Sequence, residues 1–127
     1  MEKHILVVDD NLTQLRILAD QLVGIGATVS TATDGSEVTR MLTNTTSITA
    51  LRLDTDMPMN GPETLLALLA QRKEVLEQLE KICLCSHHVQ DNMLAVRVQL
   101  AQSGIVIDVT SKGDELPYWN TYLNTKQ

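Results

Sequence analysis

Short apolar runs recur along the chain, each bounded by polar residues or glycine. They predict five strands, over residues 5–8, 27–33, 48–53, 82–85 and 105–109. Most of these runs are rich in β-branched or other aliphatic residues, as is typical of strands buried on both faces. The second run alternates apolar and polar positions, as is typical of a strand.

Leucines at helical spacing occupy the segments between these strands. Asn11 is a suitable cap for a first helix that ends near Gly24. Four more helices are predicted, beginning at Ser36, at Pro62, at residue 89 and near Asp114. The helix from Pro62 carries leucines as far as position 79, and residues 63–103 contain no Gly or Pro to mark its end. Strands that alternate with helices predict an α/β fold, a parallel sheet covered on both faces.

Composition narrows the class of protein. The 127 residues are 43% hydrophobic, which predicts a single globular domain over 1–127. A net charge of −6 and an aromatic content of 2% disfavour a nucleic-acid-binding surface. We find no apolar run of membrane-spanning length and no signal peptide, and Cys83 and Cys85 are poorly spaced for a disulfide. These features favour a reducing, cytoplasmic location without a membrane.

Carboxylates follow two of the predicted strands. Asp9 and Asp10 end the first strand, and Asp54 ends the third, with Asp56 two residues later. The carboxyl edge of an open parallel sheet is where sites are usually built. Three carboxylates gathered there need a cation, and hard oxygen ligands suit Mg²⁺. The pattern therefore predicts a magnesium site.

Taken in order along the chain, these residues resemble the receiver domain of two-component response regulators. The sequence VVDDN at 7–11 resembles the acidic-pair motif of that family, and Asp54 with the downstream Met57-Pro58 resembles its phosphoacceptor motif. Ser86 follows the fourth strand and Lys112 follows the fifth, where the family has a hydroxyl and a lysine. The resemblance covers essentially the whole chain, and it implies the flavodoxin-like (βα)5 sheet order 2-1-3-4-5.

The resemblance also implies a division of roles. Asp54 is the phosphoacceptor and forms an acyl phosphate. Asp10 and Asp54 ligate Mg²⁺ directly, Asp9 acts mainly through water, and the backbone carbonyl of Asp56 adds a ligand. Lys112 is a mobile charge that reaches a phosphoryl oxygen or the acceptor carboxylate. Ser86 donates a hydrogen bond to the phosphoryl group.

Several positions depart from the family pattern. Gly113 replaces the usual proline after the lysine, which removes a restraint on Lys112, and Val109 replaces the usual aromatic of the fifth strand. His87 stands where a small residue is usual, and it either narrows access to the acceptor or points to solvent. Asp56 and His88 flank the expected path of the hydrolytic water, so they either tune the lifetime of the acyl phosphate or are solvated polar residues.

Three functions are compatible with these features. The first is a phosphorelay receiver that takes a phosphoryl group from a histidine kinase or histidine phosphotransferase, switches a partner-binding surface, and catalyses only its own phosphoryl transfer and dephosphorylation. Its donor could dock on the first helix, through some of Leu12, Leu15 and Ile17. The second is a degenerate receiver that binds a protein partner constitutively. A small phosphohydrolase is disfavoured, because the acidic pair precedes the Asp54-x-Asp56 motif instead of following it.

Overall fold

Five parallel strands form one sheet in the order β2-β1-β3-β4-β5. The computed structural model describes residues 2–55, 61–87 and 93–125. The strands are β1 His4–Val8, β2 Thr28–Ala32, β3 Ala50–Asp54, β4 Lys81–Ser86 and β5 Asp108–Ser111. The predicted α/β fold and its flavodoxin-like strand order are confirmed.

Six helices cover the sheet in the described parts of the chain. They are α1 Leu12–Gly24, α2 Ser36–Asn44, α3 Gly61–Gln71, α4 Lys73–Glu77, α5 Leu94–Gln102 and α6 Glu115–Leu123, with a 3₁₀ turn Lys112–Asp114 directly before α6. The predicted cap of α1 is present, since Asn11 Oδ1 accepts a hydrogen bond of 3.1 Å from the Gln14 backbone N–H. In the described ranges, no helix is long and apolar enough to cross a membrane.

The core has two layers, one on each face of the sheet. Helices α1 and α6 cover one face with buried side chains that pack on Ile5, Val7 and Ala50: Leu15, Leu18, Leu22, Trp119 and Tyr122. The other face is covered by α2, α3, α4 and α5, whose buried residues pack on Leu6, Val8 and Leu53: Val38, Leu42, Leu65, Leu68, Val75, Leu76 and Leu100. Alternate residues of the central strands therefore face different cores.

One predicted helix is two helices in the structure. The segment that begins near Pro62 breaks at Arg72, whose backbone adopts φ −144° and ψ 57°. Helix α3 has 11 residues and rises about 16 Å, roughly the length of a strand of this sheet. The chain has then crossed the sheet and must turn toward β4, and α4 makes that turn while it buries Val75 and Leu76.

The fifth strand lies further along the chain than its apolar pattern predicted. Ile105 and Ile107 are buried, yet pairing begins only where Asp108 lies opposite Cys83 and continues to Ser111 opposite Ser86. In this segment the apolar pattern indicates which residues are buried, but it does not indicate which residues pair with β4. The fourth predicted helix, over 89–102, is described as α5 from Leu94 onward; residues 88–92 lie outside the described part of the chain.

We predict that Leu22→Ala lowers the free energy of unfolding by about 2–5 kcal/mol, the usual cost of truncating a buried leucine. Leu22 is fully buried, whereas Leu12 on the same helix is 66% exposed. The matched control Leu12→Ala should therefore change stability by less than about 0.5 kcal/mol. Urea denaturation of both variants measures the difference, and equal losses would contradict the assignment of the α1 core face.

Candidate functional site

Three carboxylates meet at the carboxyl edge of the two central strands. Strand β1 pairs with β3 with Val8 opposite Leu53, so the residues that follow, Asp9 and Asp54, emerge side by side. One oxygen from each of Asp9, Asp10 and Asp54 lies within 4.8 Å of the other two. Asp9 and Asp54 are only 1% and 2% exposed, while Asp10 faces solvent.

Local backbone contacts hold Asp9 in place. Its N–H continues the β1–β2 pairing with a 3.2 Å bond to the carbonyl of Ala32. Its Oδ1 accepts a 3.0 Å hydrogen bond from the N–H of Asn11, the residue that caps α1. The turn between β1 and α1 therefore orients one carboxylate oxygen and leaves the second, Oδ2, for other partners.

Lys112 reaches into this cluster. Its Nζ donates to Asp54 Oδ2 at 2.9 Å, lies 3.8 Å from Asp9 Oδ2, and contacts Gln14 Oε1 at 3.3 Å. Lys112 begins the 3₁₀ turn directly after β5, so the later position of that strand brings the lysine to the carboxylates. Four of the site residues predicted from the sequence thus lie together: Asp9, Asp10, Asp54 and Lys112.

A buried ion pair that the sequence reasoning missed adjoins the cluster. Arg52 on β3 is 1% exposed and binds Glu115, the first residue of α6, through two bonds: Nε to Oε1 at 2.6 Å and Nη2 to Oε2 at 2.9 Å. Its Nη1 donates to the carbonyl of Val8 at 3.1 Å and to Asp9 Oδ2 at 3.3 Å. A charged residue inside the apolar run 50–53 was the available signal, because a buried charge needs a partner.

The charges in this region act on one another. Burial raises the pKa of the Asp9 carboxyl; the hydrogen bond from Asn11 and the charge of Arg52 oppose this rise, and the nearby Asp54 adds to it. Burial also works to lower the pKa of Arg52, but its bond to Glu115 and the neighbouring negative groups outweigh burial, so the pKa is raised overall and the guanidinium stays charged.

The remaining predicted residues lie around this centre or outside the described ranges. Ser86 is buried at the end of β4, one residue beyond Cys85, which pairs with Asp54. His87 is exposed and lines a cleft of about 450 Å³ together with Asp9 and Lys112. The backbone ligand and tuning roles suggested for Asp56, and the tuning role suggested for His88, concern residues outside the described part of the chain.

Helix α3 begins in close contact with the acidic edge. A Cβ atom on Gly61 would lie 2.6 Å from Leu84 Cδ2 and 3.1 Å from the backbone oxygen of Asp54. Only glycine fits here without displacing a neighbour. The close approach packs the start of α3 directly against the end of β3.

The donor set fits a hard divalent cation. Mg²⁺ prefers carboxylate oxygens together with water, and Asp9, Asp10 and Asp54 supply three such groups at suitable spacing. The exposed side of Asp10 leaves room for water ligands. These three residues would hold the ion.

No protein-family model matches the chain, and no curated protein matches its sequence. Solved structures do match its fold. A response regulator receiver protein from Pseudomonas putida aligns with a TM-score of 0.76 at 21% identity, over 99% of this chain and 98% of that one. A response regulator receiver domain from Clostridium thermocellum gives 0.74 at 22% identity, over 96% and 91%.

A CheY chemotaxis protein from Vibrio cholerae is also similar, with a TM-score of 0.75 at 18% identity over 97% of each chain. At this level of identity the likeness concerns the fold. The chain has the fold of response regulator receiver domains, which confirms at the level of structure the resemblance that its motifs carry.

Because the raised pKa of Asp9 means that its ionised form costs stability, we predict that Asp9→Asn stabilises the metal-free protein at pH 7. The gain should shrink as the pH falls toward the ordinary value of 3.8, where the parent carboxyl becomes protonated. Urea denaturation of the parent and the variant, in the presence of a chelator, measures the gain at pH 7 and its change with pH. Asp20→Asn, on the exposed side of α1, is the control, and a gain that grows at low pH would contradict the prediction.

Proposed function

We propose that this chain is a phosphoacceptor receiver domain of a two-component phosphorelay, in which Asp54 accepts a phosphoryl group and thereby changes a partner-binding surface. The observation that supports it most is the contact of 2.9 Å between Lys112 Nζ and Asp54 Oδ2, beside the carboxylates of Asp9 and Asp10. A nucleophile, a metal-ligand set and a cation at one sheet edge are the groups that phosphoryl transfer requires.

The reaction moves one phosphoryl group. An Asp54 carboxylate oxygen forms the new P–O bond while the P–N bond of a phosphohistidine donor breaks, and the freed imidazole takes up a proton. Mg²⁺, when bound, would neutralise charge on the phosphoryl oxygens. Lys112, now on Asp54 Oδ2, would follow the charge to a phosphoryl oxygen. Ser86 would donate its hydroxyl, and the domain would catalyse only its own phosphorylation and dephosphorylation.

The donor in this proposal is a histidine kinase or histidine phosphotransferase that docks on α1. Leu12 and Ile17 on that helix are 66% and 53% exposed and line a groove of about 660 Å³ next to the acidic edge. Leu15 is only 6% exposed and belongs to the core, so the available apolar surface is the pair Leu12 and Ile17. A cytoplasmic location is part of the same proposal. The net charge of −6 argues against direct nucleic-acid binding.

A degenerate receiver that binds a partner constitutively is the alternative. It is favoured by Gly113 after the lysine and by Val109, which packs against the core where the family has an aromatic that can swing. Mg²⁺ with beryllofluoride separates the two functions. Amide shifts that spread from the acidic edge would support the switch, and the absence of binding would support the constitutive module.

We predict that the parent protein gains one phosphoryl group from acetyl phosphate with Mg²⁺, and that Asp54→Asn gains none because the nucleophile is lost. Intact mass spectrometry measures the gain. Asp20→Asn, an exposed carboxylate change on α1, should be phosphorylated like the parent. If the parent is not modified, or if Asp54→Asn is modified, Asp54 is not the phosphoacceptor.

The position of His87 on the cleft beside Lys112 supports a role in access. We predict that His87→Ala speeds phosphorylation by acetyl phosphate severalfold, because a smaller side chain opens the approach to Asp54. Stopped-flow Trp119 fluorescence, with quenched mass spectrometry as a check, measures the rate. His4→Ala is the control, because His4 begins β1 at the end of the sheet away from Asp54. An unchanged rate in His87→Ala would show that the His87 side chain points to solvent and does not limit access to Asp54.

A further inference from the structure

We propose that Arg52 and Glu115 form a positioning pair that holds Lys112 over Asp54, in place of the restraint that a proline after the lysine would supply. The inference rests on the proposed function for its catalytic consequence. The pair itself is an observation of the fold: two bonds of 2.6 and 2.9 Å join a strand to the first residue of α6, with Arg52 1% and Glu115 6% exposed.

The pair connects the two segments that carry the reacting groups. Arg52 lies two residues before Asp54 on β3, so both side chains leave the strand on the same face. Glu115 lies three residues after Lys112, directly after the 3₁₀ turn that Lys112 begins. Anchoring Glu115 to Arg52 therefore fixes the turn, and with it the lysine, relative to the acceptor.

A second contact closes the same turn. Ser111 Oγ donates to Asp114 Oδ2 at 2.7 Å, while Arg52 Nη1 bonds the Val8 carbonyl and Asp9 Oδ2. One guanidinium thus joins the end of β1, β3 and the start of α6. Its planar, forked donors suit this task, since they fix orientation as well as charge.

Stability alone does not require this pair. The buried cluster on this sheet face is apolar and includes Ala50, Cys83 and Trp119. Besides bonding each other, Arg52 bonds the Val8 carbonyl and Asp9, and Glu115 accepts from Cys85 Sγ at 3.2 Å. Replacing a buried ion pair by apolar residues of similar volume is often neutral or stabilising, because desolvation offsets the attraction. A role in placing Lys112 accounts for the charges, since an apolar pair has no directional bond.

The test is the double variant R52M/E115M, which keeps the volume and removes both charges. We expect only a modest change in thermal unfolding, because the pair is removed as a unit. The buried Asp9 carboxylate loses its 3.3 Å contact with Arg52 and keeps the Asn11 hydrogen bond and Lys112 at 3.8 Å. We expect phosphorylation by phosphoramidate with Mg²⁺ to be about 10- to 100-fold slower, since displacing a reacting group by about 1 Å has a cost of this order. On a Lys112→Ala background the same double change should alter the rate by less than about twofold, because two groups that act through one contact are not additive.

Side-chain NMR gives a measurement that does not depend on phosphorylation. The Cε methylene of Lys112 should have a high order parameter in the parent and a low one in R52M/E115M. If the double variant does not fold, R52K serves instead, since it keeps the buried positive charge while it removes the two-bond fork to Glu115. K3M/E80M is the matched control: this ion pair of 2.8 Å lies at the opposite edge of the sheet, and its removal should change neither readout.

Equal phosphorylation rates and equal Lys112 order in the parent and in R52M/E115M would overturn the positioning role and leave the pair purely structural. An additive effect on the Lys112→Ala background would also overturn it. A parent that takes no phosphate would count against the proposed function, whereas the order of the Lys112 side chain would still decide the role of the pair.

Discussion

Repulsion among carboxylates at the carboxyl edge of the sheet is the constraint around which this structure is arranged. Parallel pairing of β1 with β3 brings Asp9 and Asp54 out side by side and almost completely buried. Burial disfavours the charged form of Asp9, and the nearby charge of Asp54 adds to this effect. Two cations offset this cost: Arg52, two residues before Asp54 on β3, and Lys112, which follows β5. The sheet edge, the end of β5 and the start of α6 therefore depend on one another.

The two cations are of different kinds. Arg52 is buried and bonded through its planar fork to Glu115 and the end of β1, so its charge is fixed in direction. Lys112 is partly exposed, with a flexible stem and a single charged group that contacts Asp54. A fixed cation maintains the architecture when the charge at the acceptor changes, while a flexible one can follow that change. The proposed chemistry relies on this division.

Helix α1 connects the site with the outer surface. Its cap, Asn11, holds Asp9, and Gln14 in its first turn contacts Lys112. On the outer side of the same turns lie the exposed Leu12 and Ile17. A donor protein that docks on these residues would contact the same helix that orients the acidic edge. Recognition and chemistry would then share one element, which keeps their geometry rigid relative to each other.

The α/β class, the order of elements and the carboxylates at strand ends could all be predicted from the sequence. Local periodicity, and a charge that follows an apolar run, are properties of neighbouring residues. The sequence misplaced the fifth strand, since Ile105 and Ile107 report burial and not pairing, and it did not show the break at Arg72 between α3 and α4. Arg52 stood out as a charge in an apolar strand, yet its partner Glu115 is 63 residues away. That pairing and the contact of Lys112 with Asp54 follow from the packing of the whole domain. They depend on where β5, beyond β4, and α6 lie relative to β3, and no local pattern in the sequence encodes this placement.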